Sequence, residues 1–440
     1  MSSADTIYAL SSAAGRAGVA VFRVSGANAK FAIGAMANVQ HPKPRHAYFL
    51  KLNTQNGEHL DDALVLYFAA PNSFTGEDVA EFHVHGGRTI ITAVQSTLSS
   101  LGCRLAEAGE FTRRAFENGK LDLTQAEGIA DIIDAETQIQ RVQALKQMGG
   151  ALSQLTQSWR EKLLRILAHL EADIDFPDED LPPEITRQRL QNLNELSAEI
   201  AAHLADNRRG ERLRDGFSIA VLGAPNAGKS SLINALAQRD AAIVSARAGT
   251  TRDIIEVHLD VAGYPVILAD TAGLRDTADE IESEGIKRAL KRADEADLNI
   301  VLFDAGTAPD EPSLKLLGDK SFAVINKIDV ANNTNLPNAF YISAQSGKGI
   351  AELLDAIAAR LKHMLDEQPA APLTRERHRE ALTHCQQHLQ RAIAAVQSGK
   401  PPELAGEDIR LATRALARIT GAVDVDDILD IIFREFCIGK

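Results

Sequence analysis

The stretch Gly223-Ala-Pro-Asn-Ala-Gly-Lys-Ser230 carries the spacing G-x(4)-G-K-[ST] between two apolar runs, FSIAVL and SLINAL. That spacing suits phosphate chemistry. Glycines let backbone N–H groups turn inward around phosphate oxygens, and a loop that opens a helix adds an N-terminus that favours anions. Lys229 reaches the β- and γ-phosphates, and the Ser230 hydroxyl is the expected Mg²⁺ ligand. Gly223, Ala227, Gly228 and Ser231 complete the expected cradle. Asp270-Thr271-Ala272-Gly273 ends a predicted strand. Asp270 can hold Mg²⁺ through water, and the Gly273 N–H can meet the γ-phosphate. Asn326-Lys327-Ile-Asp329 ends another strand. The Asp329 carboxylate can accept from the ring N–H and the exocyclic amine of guanine, a donor pair that adenine lacks. Ser343 and Ala344 add a backbone contact to the base. In this order the series selects GTP over ATP. Between the first two motifs lies Gly249-Thr-Thr-Arg-Asp253. Thr251 is the expected second hydroxyl on Mg²⁺ and senses the γ-phosphate, so this loop should order and disorder with hydrolysis.

What attacks the phosphate is less plain. Many small GTPases place a glutamine just after D-x-x-G to orient the attacking water. Here that residue is Leu274, which neither donates nor accepts. Glu280, Glu282 and Glu284 are equal rivals on residue type alone, and a solvated helix start accounts for any of them. Arg247, Arg252 and Arg275 are near the motifs in sequence, which does not make any of them a charge-neutralising finger.

Positioning these residues requires strands that alternate with helices. FSIAVL, IIEVHLDV, YPVILAD, LNIVLFDA, FAVIN and AFYIS predict a mostly parallel sheet covered by helices between Arg214 and about residue 366. Before it, GVAVFRVSG, DDALVLYFAA and VAEFHVHGG predict strands, and Thr89 to Leu101 a helix stopped by Gly102. From Leu121 the texture turns helical, with few breakers apart from Gly149-Gly150 until the acidic, proline-containing EADIDFPDEDLPPE. A further helix is expected over Thr186 to Asn207; DEQPAAPL reads as a linker, and 374–436 is helical again. The fold class is therefore multidomain α/β and α. An α+β domain spans 1–118; a helical domain is split into 119–213 and 367–440; a Ras-like P-loop domain, 214–366, is inserted between its halves.

The formal net charge of −13 excludes a bulk electrostatic binder of nucleic acid, so any such contact needs a local patch or a partner. No apolar run is long enough for a membrane helix, and the N-terminus lacks the apolar block of a signal peptide. Cys103, Cys385 and Cys437 are odd in number and far apart, which fits a reducing cytoplasm rather than a disulfide scaffold or zinc site.

The set GAPNAGKS, AGTTRD, DTAGLR and NKID resembles the translation-factor-related GTPases. DTAGLR followed by DEIESEGI, together with GRAGVAVFRVSG, NSFTGEDVAEFHVHGG, GEFTRRAFENGKLDLTQAEGIADII and the terminal FCIGK, resembles the MnmE (TrmE) family of tRNA-modification GTPases along essentially the whole chain. The resemblance implies several things that the residues alone leave open. It favours Glu282 as the water-positioning group, through a bridging water. It implies a K⁺ ion, held by the Asn226 side chain and by backbone carbonyls of Ser245, Arg247 and Thr250, in place of an arginine finger; its charge offsets charge developing in the transition state. It implies a homodimer whose G domains meet face to face to hydrolyse GTP. It implies a reduced folate, methylenetetrahydrofolate or 5-formyltetrahydrofolate, bound near Arg23, Glu81, Lys120 and Lys440. A carboxylate tail suits Arg or Lys, and pterin N–H groups suit Glu81, though a surface salt bridge explains the same residue types. It also implies a flavin- and NADH-dependent partner, MnmG, in a heterotetramer or larger complex. With it, aminomethyl or carboxymethylaminomethyl groups would be added to C5 of the wobble uridine of certain tRNAs in the cytoplasm.

Two other functional readings share these motifs: a ribosome-assembly-type regulatory switch, and a folate-dependent methyltransferase acting alone. The first leaves the N-terminal blocks unexplained and predicts an RNA-binding module next to the P-loop domain, where no KH-like GxxG segment is found; the second is separated by wobble-uridine analysis with and without the flavoprotein. His83 and His85 alternate on one strand without a further ligand at a definable spacing, so a metal site is not expected. Cys437-Ile-Gly-Lys440 fits a prenylation box poorly. Cys437 is either a functional thiol or a packed cysteine after the amphipathic DDILDIIFREF. Arg410, Arg414 and Arg418, with Arg375, Arg377 and Arg379, could meet tRNA phosphate, but a solvated helix face is the favoured reading.

Overall fold

In β-strands, residues two apart share a face, and the N-terminal strands use that period to build a one-sided core. The computed structural model describes residues 5–13, 15–175, 183–206, 208–238, 242–243, 256–269, 290–331, 333–365, 372–423, 426–434, 436 and 438–439. The first sheet contains β1 (Ile7–Leu10), β2 (Ala17–Ser25), β3 (Tyr48–Asn53), β4 (His59–Phe68), β5 (Val79–Gly86) and β6 (Arg104–Leu105) in the order β3-β4-β5-β2-β1-β6. All neighbours are antiparallel except β1 and β6. Phe22, Val24, Val65, Phe82 and Val84 face helices α1 (Ala29–Ala37) and α2 (Arg88–Ser100), whose Ile33, Met36, Val94 and Leu98 fill the core. Arg23 lies directly opposite Glu81 in register, one residue out of phase with that core and so on the other face.

Helices α3 (Glu110–Glu117), α4 (Leu123–Asp134), α5 (Gln138–Met148), α6 (Ala151–Asp175), α7 (Pro183–Leu204) and α8 (Arg209–Asp215) follow. The expected break at Gly149-Gly150 falls between α5 and α6. Helix α6 runs through Glu171 to Asp175, further than the acidic composition suggests, because its i, i+4 leucines and isoleucines carry it forward; residues 176–182 lie outside the described residues.

The second sheet contains β7 (Phe217–Gly223), β8 (Ala242–Ile243), β9 (Glu256–Val261), β10 (Tyr264–Ala269), β11 (Leu298–Asp304), β12 (Ser321–Asn326) and β13 (Phe340–Tyr341), with α9 (Lys229–Ala237), the short α10 (Glu311–Leu314) and α11 (Ile350–Leu365). Its order is β13-β12-β11-β7-β10-β9-β8. Pairing is parallel from β13 to β10 and antiparallel for β9 and β8, so the sheet is mostly parallel as expected. Central strands β7 and β11 are buried on both faces and read as near-continuous apolar runs, interrupted by Ser218 and Asn299. Helix α11 closes the core with Ile350, Leu353, Ile357, Leu361 and Leu365, one stripe of a 3.6-residue period. Helices α12 (Glu376–Gln397), α13 (Pro402–Thr420) and α14 (Asp426–Arg434) complete the chain, α12 packing along α7.

Two units result. One comprises Met1–Ala130, Gln147–Leu164 and Thr413–Lys440; the other comprises Asp131–Lys146 and Arg165–Ala412. In the first, Leu429, Ile432, Phe433 and Phe436 pack on Leu123 and Ala126 of α4. Ile438 bridges Ala108, and Ser11 Oγ donates to the Gly439 carbonyl at 3.1 Å. No described helix is long and apolar enough to cross a membrane.

Candidate nucleotide site and N-terminal cluster

The phosphate loop begins where β7 ends at Gly223 and finishes where α9 begins at Lys229. Asn226 and Gly228 hold left-handed backbones, φ +66° and +97°. A methyl group at Gly228 would collide with the Asn326 side-chain amide, so only glycine serves there. Lys229 Nζ donates to the carbonyls of Gly223 and Ala224 at 2.8 and 2.9 Å, which holds the ammonium inside the loop. Ser230 and Ser231 are exposed in the first turn of α9, where unpaired backbone N–H groups point outward.

Residues of N-K-x-D are bound into this loop. Asn326 is 1% exposed; its Nδ2 donates to the Ala227 carbonyl and its Oδ1 accepts from the Ala344 N–H, both at 3.0 Å. One side chain thus fixes the phosphate loop against the segment expected to meet the base. Ser343 is fully buried, and its Oγ accepts from the Ser346 N–H at 3.1 Å. Lys327, at φ +68°, donates from Nζ to the Asn226 carbonyl at 2.7 Å and to Asp304 Oδ2 at 2.6 Å. The Lys327 ammonium, with the Gly306 N–H, holds the Asp304 carboxyl below its ordinary range. Asp329, two residues after Lys327, is exposed.

The structure therefore brings together Gly223, Asn226, Ala227, Gly228, Lys229, Asn326, Lys327 and Ala344, with Ser230, Ser231, Asp329 and Ser343 beside them in the chain. Ser245, Arg247, Thr250, Thr251, Asp270, Thr271, Ala272, Gly273 and Glu282 lie outside the described residues. Asp304 was not anticipated. The signal was its position at the end of LNIVLFD, one strand from Asn326 and opposite it in parallel register.

On the N-terminal sheet, Arg23 donates from Nε and Nη2 to Glu81 Oε1 at 3.1 and 3.0 Å. Its guanidinium lies 5.7 Å from the Phe74 ring centre and 5.9 Å from that of Phe111. Glu81 Oε2 meets His83 Nε2 at 3.3 Å, and His85 Nδ1 meets Asp61 at 2.8 Å. Burial raises the Asp61 carboxyl, but the backbone N–H and ring of His85 and the Asp62 N–H outweigh it and leave it lowered. Lys120 is exposed and passes close to Gly76, two residues beyond Phe74. Lys440 and Cys437 lie outside the described residues, although their neighbours Phe436 and Gly439 are anchored to this unit. Cys103 and Cys385 are buried, and burial pushes their thiols up to about 11 and about 12.

A charged cluster beneath this face escaped the sequence reading. Arg114, 8% exposed, donates to Asp5 at 3.0 Å, Glu77 at 3.1 Å and Glu110 at 3.1 Å. Arg104 shares Asp5 and Glu110. Glu77 also accepts from Ser25 Oγ at 2.7 Å, so the loop carrying Phe74 is tied to β2. Among the arginines weighed for tRNA, Arg375 pairs with Asp131, Arg379 with Asp206 and Glu211, and Arg410 with Glu171 and Glu407.

A family model described as the MnmE helical domain matches residues 123–437, and one described as the GTP-binding protein TrmE N-terminus matches residues 6–120. The tRNA modification GTPase MnmE of Parvibaculum lavamentivorans is 53% identical over 439 residues, covering 99% of this chain and 100% of its own length. The protein of that name from Paramagnetospirillum magneticum is 52% identical over 446 residues, covering 99% and 100%. That from Maricaulis maris is 51% identical over 439 residues, covering 99% of each.

Proposed function

The chain belongs to the MnmE family of tRNA modification GTPases, and we propose that it hydrolyses GTP as part of a reaction that modifies the wobble uridine of certain tRNAs. GTP is the substrate at the loop 223–230, with Lys229 on the phosphates and Asp329 and Ala344 on the guanine. The observation that carries this reading is the side chain of Asn326, buried and bonded at once to the phosphate loop and to Ala344. A base and a triphosphate bound to these two segments would be held at a fixed spacing before chemistry begins, which lowers the entropic part of the barrier.

The residues present fit a divalent ion. Ser230 is an exposed hydroxyl in the first turn of α9; we assign the second hydroxyl to Thr251 and a contact through water to Asp270. They also fit a monovalent cation. Asn226 offers an exposed side-chain oxygen, while its backbone carbonyl is braced by Lys327. We assign K⁺ to Asn226 and to the carbonyls of Ser245, Arg247 and Thr250, and the orientation of water to Glu282. When bound, the cation supplies positive charge against the charge that develops on the phosphate.

On the first unit we assign the reduced folate to Arg23, Glu81, Lys120 and Lys440. Arg23 and Glu81 form a donor–acceptor pair suited to a carboxylate and to pterin N–H groups, with the Arg23 guanidinium beside the Phe74 ring. Cys437 is assigned to the same region. The chain then acts as a cytoplasmic homodimer with the flavoprotein MnmG, and adds aminomethyl or carboxymethylaminomethyl groups from the folate carbon. The proposed boundaries are 1–118, 119–213, 214–366 and 367–440.

The test is GTP turnover in K⁺ against Na⁺ for the parent chain and for Asn226→Ala. Strong stimulation by K⁺ that the substitution removes supports the cation assignment. Equal rates in the two salts sink it, while leaving GTP hydrolysis itself intact.

A further inference from the structure

Strands β9 and β10 form a hairpin with a two-residue turn, Ala262-Gly263, at φ +52° and +90°. Such a turn matches the natural twist of the strands and makes a stiff ribbon. Asp260 accepts from the Gly263 N–H at 2.6 Å and closes it further. In sequence, one open end of this ribbon adjoins the AGTTRD motif and the other adjoins DTAG. These are the two segments expected to respond to the γ-phosphate.

The ribbon is docked on the start of α5. His258 Nδ1 meets Glu136 Oε2 at 3.1 Å, with both side chains about three-quarters buried. Ile139 packs into the core of the sheet domain, and its Cγ1 and Cδ1 lie against Gly263 at the turn. Gln140 Oε1 accepts from the N–H groups of Glu136 and Thr137 at 3.0 Å, and its Nε2 donates to the Arg214 carbonyl at 2.9 Å. Arg214 stands just before β7, the strand that ends in the phosphate loop. Residues 136–140 thus touch the sheet domain at the hairpin and at the entry to β7.

The geometry points to a transmission contact: the β9–β10 hairpin passes nucleotide state to helix α5 through Glu136, Ile139 and Gln140. The proposal rests on the GTPase reading above and adds the route by which hydrolysis reaches the rest of the chain. The ribbon spans six residues per strand, a lever of about 20 Å, so a shift at its nucleotide end appears at the turn. None of the three residues contacts the phosphate loop, so they are positioning residues and not catalytic ones.

The experiment is hydrogen exchange of the full chain with GDP, and with GDP plus aluminium fluoride, Mg²⁺ and K⁺, read over residues 136–146. Parallel samples measure GTP turnover and wobble-uridine modification. The parent should change its exchange in that segment about threefold or more between the two nucleotides. Glu136→Gln and Ile139→Ala, made separately, should abolish that change and keep GTP turnover within about twofold, while modification falls about tenfold. His258→Gln, a separate variant on the other side of the pair, should reproduce the Glu136→Gln result. Equal exchange in the parent with both nucleotides overturns the proposal, and so does normal modification by the variants. Loss of GTP turnover in the parent would instead overturn the nucleotide-site reading on which it stands.

Discussion

Asn326, Lys327 and Asp329 share one short motif yet do different work. Asn326 is buried and structural, Lys327 braces the loop against Asp304, and Asp329 is exposed, where the proposed base contact needs it. A change at Asp329 should therefore alter recognition without disturbing the fold. Asp329→Asn replaces a carboxylate that accepts two N–H groups with an amide that accepts one and donates one. GTP affinity should fall about a hundredfold, from two charge-assisted bonds worth ~1.5 kcal/mol each, and xanthosine triphosphate should be bound better than GTP. Competitive binding of the two nucleotides measures this, and unchanged preference for GTP would remove Asp329 from the base site. Asn326→Ala should instead lower stability, since it strands the Ala344 N–H and the Ala227 carbonyl.

Among the elements, α14 decides the integrity of the first unit. Phe433 is 2% exposed, with ring centres of Phe116 and Phe436 at 6.5 and 5.5 Å. Phe433→Ala should cost about 3 kcal/mol from lost transfer energy and the cavity left behind. A lower urea midpoint of the first unit reports it. The helices and the inserted parallel sheet were legible in the sequence because their signals are local. DDILDIIFREF shows its stripe, and FSIAVL and LNIVLFDA show near-continuous apolar runs. Strands β1 and β3 were not anticipated. The first has four residues, too few for a period to register, and the second is an edge strand whose exposed Phe49 and Lys51 blur the alternation. In the same way, the motif 223–230 was plain, whereas the Asp304–Lys327–Asn226 brace was not. It joins three segments that meet only when β11 and β12 pair in register.

At the scale of the molecule, charged contacts in the first unit join distant parts of the chain. Arg104 and Arg114 gather Asp5, Glu77 and Glu110 from three places in the sequence. For Asp5, the hydrogen bond from Arg104 lowers the carboxyl below its ordinary 3.8. For Glu110, burial raises it, but the bonds from Arg104, the Glu107 N–H and Arg114 leave it below its ordinary 4.5. A carboxyl lowered in the folded state adds stability that is complete above its unfolded value and is lost as pH falls through the folded one. The stability of this unit should thus decline once pH drops below the ordinary values of 4.5 and 3.8, and Glu110→Gln should flatten that decline. Urea titrations between acid and neutral pH measure the slope. The far end of the chain joins the same unit: Ile438 and Gly439 lie against Ala108 and Ser11, and α14 covers the apolar face of α4. A ribosome makes α4 well before α14. The face of α4 must wait uncovered while the whole intervening nucleotide-binding portion is synthesised, so a nascent chain of this protein is a natural client for a holding chaperone until translation reaches α14.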